Sequence, residues 1–301
     1  MTGQCPPNSG PYSVPYVGLG HIDGLLCILV AFFQSSFDPT TFPFAADFAA
    51  SWAAPIALTF VEAARSGRSS LLAFPAIVGL FYQLQGAGFT FPLFWLALIL
   101  SGHTRLNRVA ARIDQARAEA ALFAVLAGYA LPTALMLILQ DSMVTAAWQF
   151  FPAWMWVAQA AHIFIRPSSR YNTSGYWTVQ ATFIFTFIVS AISHIAAIWA
   201  INDLTLLRDL FVPPIVPPDP ATTNLQLATH VFFQWDAVFT MGSSLLGTLW
   251  FARDAKQVVL ITLWNVIATV FVGPGAAMSG VLLWRERAYN GTPEENVSKK
   301  E

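Results

Sequence analysis

Long apolar stretches, separated by short polar segments, cover most of the chain from residue 16 to residue 285. A helix that spans a bilayer needs about 20 mostly apolar residues. Stretches that approach this length predict helices at about 16–35, 48–64, 70–85, 88–102, 118–139, 145–165, 177–201, 226–251 and 257–284. The pattern therefore predicts an all-α fold, a polytopic transmembrane helical bundle with about eight spans, within a range of seven to nine.

The number of crossings depends on two places where the apolar pattern is interrupted. Residues 69–104 contain no Lys, Arg, Asp or Glu, and this run is too long for one span and short for two. The segment Gln85-Gly86-Ala87-Gly88 is its natural turn, because glycine tolerates backbone angles that other residues avoid. Either this hairpin or the break at Gly273-Pro274-Gly275 is expected to enter the membrane without crossing it.

Basic residues suggest the orientation of the helices. Arginines follow alternate stretches, at Arg65 and Arg68, Arg105 to Arg117, Arg166 and Arg170, and Arg253. Cytoplasmic loops of membrane proteins carry an excess of Lys and Arg. We therefore expect the arginine-containing loops and the N-terminus in the cytoplasm. Nine spans would leave the basic C-terminal tail on the opposite side, which favours a re-entrant segment.

Composition agrees with a membrane protein, because 56% of the residues are hydrophobic and only 10% are charged. A soluble domain carries about 25% charged residues. The net charge of -1 gives no basis for nucleic-acid binding. We expect a polar N-terminal segment over 1–15, one transmembrane helical domain over 16–285 and a disordered tail over 286–301. Two cysteines, Cys5 and Cys27, predict no disulfide framework, and Cys27 is interpreted as a packing residue.

Asp236 is the strongest candidate for a chemical role. It lies near the middle of an apolar helix, where helical spacing places Phe232, Phe233, Phe239 and Thr240 on its face. A charged side chain at mid-bilayer costs roughly 2.5–3.5 kcal/mol, so such residues are functional candidates. Burial among aromatic rings disfavours the charged carboxylate and would keep Asp236 protonated. The alternative is a structural hydrogen bond to a neighbouring helix.

Two further acids, Asp23 and Glu62, lie in predicted spans. Asp23 is early in the first span, where it could instead extend to water at the interface. Glu62 precedes Arg65 by one turn, so a simple surface ion pair worth about 0.5 kcal/mol is the alternative to a catalytic role. Both readings stay open for each acid.

Aromatic side chains and histidines complete the set of candidates. The chain has 11 Trp and 25 Phe, and an aromatic ring stabilises a nearby desolvated cation by roughly 2 kcal/mol or more. Lone histidines in a membrane are more often packing residues, and much of the aromatic content serves packing in any case. The candidate substrate-binding residues are Phe232, Phe233, Trp235, His194, Trp154 and Tyr82.

Several function classes lack the residues that they require. No Lys lies inside a predicted span, so a retinal Schiff base has no attachment point. No Cys/His cluster predicts a metal site, and no other cofactor is expected. No aspartate-rich motif for magnesium and a prenyl diphosphate is present. If the substrate is a terpene, its reaction should therefore begin by protonation.

Three stretches together resemble the small integral-membrane terpene cyclases of fungal meroterpenoid pathways, of the ascochlorin, ascofuranone and macrophorin type. More distantly, they resemble the cyclases of pyripyropene and indole-diterpene pathways. The matching stretches are 20–34 with Asp23, 61–92 with Glu62, Gln83, Gln85, Gly86 and Pro92, and Phe232-Phe233-Gln234-Trp235-Asp236. The resemblance implies an acid in an early span and an acid in a late span, both needed for protonation; by position, these are Glu62 and Asp236.

The resemblance implies a cyclase that protonates an epoxide or olefin of a prenylated aromatic or polyketide substrate. It implies Asp236 as general acid, assisted by Glu62 or Asp23, and a multi-pass location that we expect to be the endoplasmic reticulum. The expected partners are a lipophilic substrate and membrane lipid, without an obligate protein partner. The alternatives are a transporter or receptor for a lipophilic small molecule and a sterol-type isomerase.

Overall fold

The fold is all-helical throughout the part of the chain described by the computed structural model, as the sequence predicts. The described residues are 5, 10–69, 72–199, 201, 203–216, 218–219 and 223–290. The helices are α1 Gly20–Ser35, α2 Phe42–Ala64, α3 Pro75–Gln85, α4 Ala87–Leu100, α5 Arg108–Ala111, α6 Gln115–Leu139, α7 Ser142–Trp148, α8 Phe151–Ile165, α9 Tyr176–Trp199, α10 Leu204–Phe211, α11 Leu225–Thr248, α12 Ala255–Val272 and α13 Pro274–Asn290.

Helix α2 is the core of the bundle and is buried on nearly all sides. It packs against α6, α9 and α13, and many of its residues are small. A Cβ added to Gly275 of α13 would lie 2.5 Å from the Ser51 carbonyl oxygen, so α13 approaches α2 more closely than a side chain permits. The Ser51 and Ser190 hydroxyls hydrogen bond at 2.9 Å and join α2 to α9. Small residues and hydroxyl contacts of this kind are typical of packed membrane helices.

The arginine-containing loops meet at one end of the bundle, which we call the basic end. Ser66 donates its backbone N–H to the Arg112 carbonyl oxygen, and Arg112 donates to the Asn172 carbonyl oxygen at 3.1 Å. Arg285 of α13 donates to the His103 carbonyl oxygen at 2.8 Å. The last described helix therefore ends at the same end of the bundle as the arginine loops, which removes the conflict over the basic C-terminal tail.

Four of the described helices are long and apolar enough to cross a membrane, namely α2, α6, α9 and α12. The predicted number of about eight spans is therefore not confirmed. The predicted helix over 257–284 is wrong in one respect, because the chain turns at Gly273 and forms α12 and α13 instead. Gly273 has φ +88°, which favours glycine, and His194 occupies the space that its side chain would need.

The run without charges forms a hairpin of two short helices, α3 and α4, which meet at Gly86 as predicted. Gly86 has φ +87°, and the turn lies beside the middle of α11. From there α4 runs along α11, and the Trp95 indole N–H donates to the Ser244 hydroxyl at 3.0 Å. A helix N-terminus therefore lies at mid-depth in the bundle instead of at its surface.

Two expectations about the ends of the chain need correction. Cys5 and Cys27 form a disulfide, so Cys27 is not merely a packing residue. This bond joins the N-terminal segment to α1, where Tyr12 and Tyr16 also pack. At the other end, α13 continues past the predicted boundary at 285 to Asn290, because the Glu286 and Tyr289 side chains are buried. The rest of the predicted tail, 291–301, lies outside the described residues.

Candidate active site

A cavity of about 340 Å³ lies between α1, α2, α3 and α11, with α6 and the connection after α7 closing one side. Its wall is mainly aromatic and apolar. Asp236 is the acidic side chain that the described part of the chain contributes to this wall. The polar and aromatic residues that line the cavity are Phe32, Phe33, Ser36, Phe37, Phe48, Trp52, Tyr82, Gln83, Gln85, Trp148, Gln149, Phe232, Phe233 and Asp236.

The Asp236 carboxylate is positioned by the hairpin of α3 and α4. Its Oδ1 accepts a hydrogen bond from the Gly88 backbone N–H at 2.7 Å, at the first turn of α4. A Cβ on Gly88 would lie 3.0 Å from this oxygen, and one on Gly86 would be equally close. The two glycines therefore allow the backbone to approach the acid. The N-terminus of α4 carries partial positive charge, which orients the carboxyl and offsets the cost of its burial.

Seven aromatic rings surround the cavity in edge-to-face and stacked pairs. Phe32 lies 5.3 Å from Phe232 and 4.9 Å from Phe233, measured between ring centroids. On the opposite wall Tyr82 lies 5.1 Å from Trp52. The Phe33 ring contacts Trp148 at 4.8 Å. Rings that are locked by their neighbours present fixed faces, and such faces attract a cation that passes between them.

Amide side chains form the second polar feature of the cavity wall. Gln83 donates from Nε2 to the Gln149 carbonyl oxygen at 2.7 Å, which joins α3 to the end of α7. Gln149 in turn donates to the Thr145 carbonyl oxygen at 3.3 Å. Our sequence analysis gave neither glutamine a role of its own in the site. A glutamine within an apolar stretch was the available signal.

The cavity opens sideways between α1, α3 and α11. Ile28, Leu84 and Phe232 line it and are also exposed at the outer surface, with exposed fractions of 43%, 68% and 49%. All three are apolar. An apolar molecule could therefore enter from the side of the bundle without passing a polar loop.

The structure does not bring Glu62 or Asp23 to this cavity. Asp23 accepts a hydrogen bond from the Val17 backbone N–H at 2.7 Å, near the start of α1. Glu62 is fully buried at the basic end, where Arg65 and Arg285 donate to its carboxylate at 2.9 Å and 2.7 Å. The alternative considered for Glu62, an ion pair with Arg65, is present, but it is buried instead of lying on the surface.

Glu62 belongs to a buried cluster of four charges. Glu286 accepts from the Arg65 guanidinium and completes a cluster with two acids, two arginines and no net charge. The Arg65 guanidinium also donates to the Ala111 carbonyl oxygen at 2.8 Å, and the Arg285 guanidinium lies 4.1 Å from the Phe251 ring centroid. The cluster joins α2, α13 and the basic-end loops.

The other candidate residues are divided between the cavity and the rest of the bundle. Phe232, Phe233 and Tyr82 line the cavity, as the prediction requires. Trp235 stacks on Phe239 at 5.7 Å outside the lining, and Trp154 is exposed and donates to the Ala147 carbonyl oxygen.

His194 forms a buried pair that our sequence analysis missed. Its Nδ1 lies 2.8 Å from Oδ2 of Asp47, and both side chains are buried away from the cavity. Asp47 was overlooked because the predicted second span began at residue 48, whereas α2 begins at Phe42. Among the described residues, no group of three or more His, Cys, Asp or Glu side chains could hold a metal ion.

Comparison with known proteins agrees with the resemblance described above. Terpene cyclase ascI of Acremonium egyptiacum is 26% identical over 330 aligned positions, which cover 96% of this chain and 85% of that protein. No solved structure matches the chain significantly. The sequence matches the CtvD domain family over residues 1–289, which is nearly its whole length, so the protein belongs to the CtvD domain family.

Proposed function

We propose that the protein is a terpene cyclase that starts its reaction by protonating an epoxide or olefin with Asp236. The observation that carries the proposal is the position of this acid, held at its Oδ1 by Gly88 within an aromatic cavity. Similarity to a protein named terpene cyclase supports the class of enzyme. The chain provides the two groups that this chemistry needs, a proton donor and aromatic faces.

The proton is transferred from Oδ2 of Asp236. Because Oδ1 accepts the Gly88 N–H, Oδ2 is the oxygen that carries the proton in the neutral acid. Protonation of an epoxide oxygen breaks one C–O bond and leaves a tertiary carbocation, and a neighbouring double bond attacks this carbon to form a C–C bond. With an olefin as the starting group, the proton becomes bonded to carbon instead.

Loss of a proton from the final cation restores a double bond and completes an isomerisation with unchanged composition. The sequence resemblance left this step to a histidine or a water. His194 lies outside the cavity and is bonded to Asp47, so we assign the step to water or to the Asp236 carboxylate that the first transfer leaves. Return of the proton to Asp236 would reset the enzyme.

The aromatic wall stabilises the intermediate cations and excludes water. Rings such as Phe32, Phe233 and Trp148 are fixed by edge-to-face contacts and present electron-rich faces to the cavity. A desolvated cation gains roughly 2 kcal/mol or more from such a face. Exclusion of water prevents premature capture of the cation, which would give an open-chain alcohol.

The substrate we propose is a prenylated aromatic or polyketide dissolved in the membrane, with a terminal epoxide or olefin. We further propose a multi-pass protein of the endoplasmic reticulum, where such a substrate partitions. The sideways opening at Ile28, Leu84 and Phe232 supports entry of the prenyl tail from the lipid. Gln83 and Gln149 offer amide groups for the polar ring of the substrate.

Product analysis tests the proposal. Microsomes that contain the protein would receive a panel of prenylated phenols with and without a terminal epoxide. We expect a product of unchanged mass that NMR shows to contain a new ring and that is absent with Asp236→Asn. Asp254→Asn is the matched control, because Asp254 caps α12 outside the cavity. A moved double bond without a ring would favour an isomerase, and binding without conversion would favour a transporter or receptor.

A further inference from the structure

A second apolar cavity lies on the outer surface between α12 and α13, away from Asp236. This groove has a volume of about 460 Å³ and follows Leu260, Ile261 and Trp264 along α12. The seven residues from Gln257 to Trp264 correspond to roughly 10 Å along the helix. The groove therefore runs parallel to the helices, in the direction of a lipid chain beside a spanning helix.

The deep end of the groove is closed by a tryptophan. The Trp264 ring lies directly over Gly280, where an added Cβ would be 2.5 Å from the ring. The Trp264 indole N–H donates to the Ala277 carbonyl oxygen at 2.8 Å, which fixes the ring in place. The groove thus has a defined floor and is not merely a gap between side chains.

The other end of the groove continues into a basic pocket of about 440 Å³. Gln257 and Trp284 line both cavities and form the connection between them. Arg105 and Arg253 line the pocket and are exposed, and neither side chain has an acidic partner among the residues that the structure describes. Arg287 lines the adjoining end of the groove.

The acids near this pocket are already engaged. Asp254 accepts the Gln257 backbone N–H at 2.8 Å as the cap of α12. Glu286 is paired with Arg65, and Glu62 neutralises Arg285, which also lines the pocket. The uncompensated positive charge at the mouth of the groove therefore belongs to Arg105, Arg253 and Arg287.

We propose that this surface binds an anionic glycerophospholipid that is distinct from the substrate. Arg105 and Arg253 would hold the phosphate and its headgroup, and one acyl chain would fill the groove as far as Trp264. Trp284 lies between the two cavities, where an indole suits the boundary between headgroup and chain. The bound lipid would join α12 to the 103–105 turn at the basic end. This proposal does not depend on the cyclase function.

Lipid retention by the full-length protein tests the proposal. Protein purified in mild detergent would be incubated with phosphatidylserine or phosphatidylcholine of the same acyl chains, and bound lipid would be counted by native mass spectrometry. We expect retention of phosphatidylserine and little of phosphatidylcholine. Each arginine near an anionic headgroup adds about 1 kcal/mol, so Arg253→Gln should lower phosphatidylserine affinity about fivefold, and Arg105→Gln likewise.

Matched variants separate this site from general attraction to a basic surface. Arg170→Gln removes an exposed arginine from another loop and should leave phosphatidylserine affinity unchanged. Leu260→Trp should fill the groove and weaken binding, whereas Leu263→Trp, on the same helix outside the groove lining, should not. Soluble glycerophosphate should not compete with the lipid.

Three results would overturn the proposal. Equal retention of the two lipids would show that the headgroup charge is not recognised. Equal weakening by Arg170→Gln and Arg253→Gln would show a diffuse electrostatic effect. Competition by glycerophosphate at the affinity of the lipid would show a phosphate site that makes no use of the groove.

Discussion

Asp236 and Glu62 are both acids within helices of an apolar bundle, yet their surroundings differ. Glu62 has no exposed surface, and Arg65 and Arg285 donate to both of its oxygens. Asp236 accepts one hydrogen bond, from the Gly88 backbone, and lines an open cavity. One acid is saturated by permanent partners, whereas the other has an oxygen available for a molecule that enters.

The comparison shows that burial of an acid does not by itself indicate chemistry. Removing one partner from a buried ion pair leaves an unpaired charge, so a saturated acid such as Glu62 holds the fold together. An acid that transfers a proton needs an oxygen that reaches the substrate. We therefore expect substitutions of the two residues to affect different measurements.

The largest effect is expected for Asp236→Asn. Asparagine can accept the Gly88 hydrogen bond and caps helices as well as aspartate does, so the fold should be kept. It carries no acidic proton, and turnover should fall by about 10² to 10⁴. Initial rates of product formation, normalised to folded protein, give the measurement. Full turnover in this variant would reduce Asp236 to a structural cap.

The next effect is expected for Glu62→Gln, on stability instead of turnover. The substitution leaves Arg285 without its full counter-charge in a buried site and should lower the free energy of unfolding by about 3–5 kcal/mol. Thermal unfolding in detergent measures the loss, and the protein that stays folded should keep its turnover.

Glu119→Gln is the matched control for Glu62→Gln. Glu119 pairs with Arg166 at 2.7 Å, but both side chains are partly exposed, so this change should cost at most about 1 kcal/mol. A folded Glu62→Gln protein without turnover would contradict the purely structural role.

A smaller effect is expected for Gly88→Ala, which changes the position of Asp236 without removing it. The new Cβ would lie 3.0 Å from both the Asp236 Oδ1 and the Phe239 Cβ, so α4 and α11 must move apart. We expect a cost of about 1–3 kcal/mol in stability and reduced turnover. Gly242→Ala, in the same helix as Asp236 with open space around it, should be harmless. Equal behaviour of the two variants would argue against a positioning role for Gly88.

The smallest effect is expected for Asp23→Asn. Asparagine can still accept the Val17 N–H, and the side chain lies outside the cavity. Stability should change by no more than about 0.5 kcal/mol, and turnover should be unchanged. A clear loss of turnover in normally folded protein would restore the role that the family resemblance implies for an early acid.

Local patterns in the sequence were sufficient to predict several of these features. Asp236 interrupts an apolar helix, and desolvation alone makes it a candidate. Gly86 was predicted as a turn because the uncharged run is too long for one helix, and the structure turns there. The aromatic character of the site also follows from Phe232 and Phe233, one turn before the acid.

The remaining features depend on contacts between distant parts of the chain. Glu62 and Glu286 are separated by more than two hundred residues, and no local pattern indicates that two arginines lie between them. Similarly, the pairing of Cys5 with Cys27 depends on the N-terminal segment folding back onto α1. The hydrogen bond between Asp47 and His194 requires that α2 and α9 lie side by side.

The sideways opening at Ile28, Leu84 and Phe232 has a kinetic consequence if the cavity is the site of catalysis. The enzyme would then respond to the mole fraction of substrate among the surrounding lipids, and not to its concentration in water. Adding inert lipid to a vesicle at constant total substrate would slow the reaction by surface dilution. Saturation curves for this protein should therefore be drawn on a two-dimensional scale.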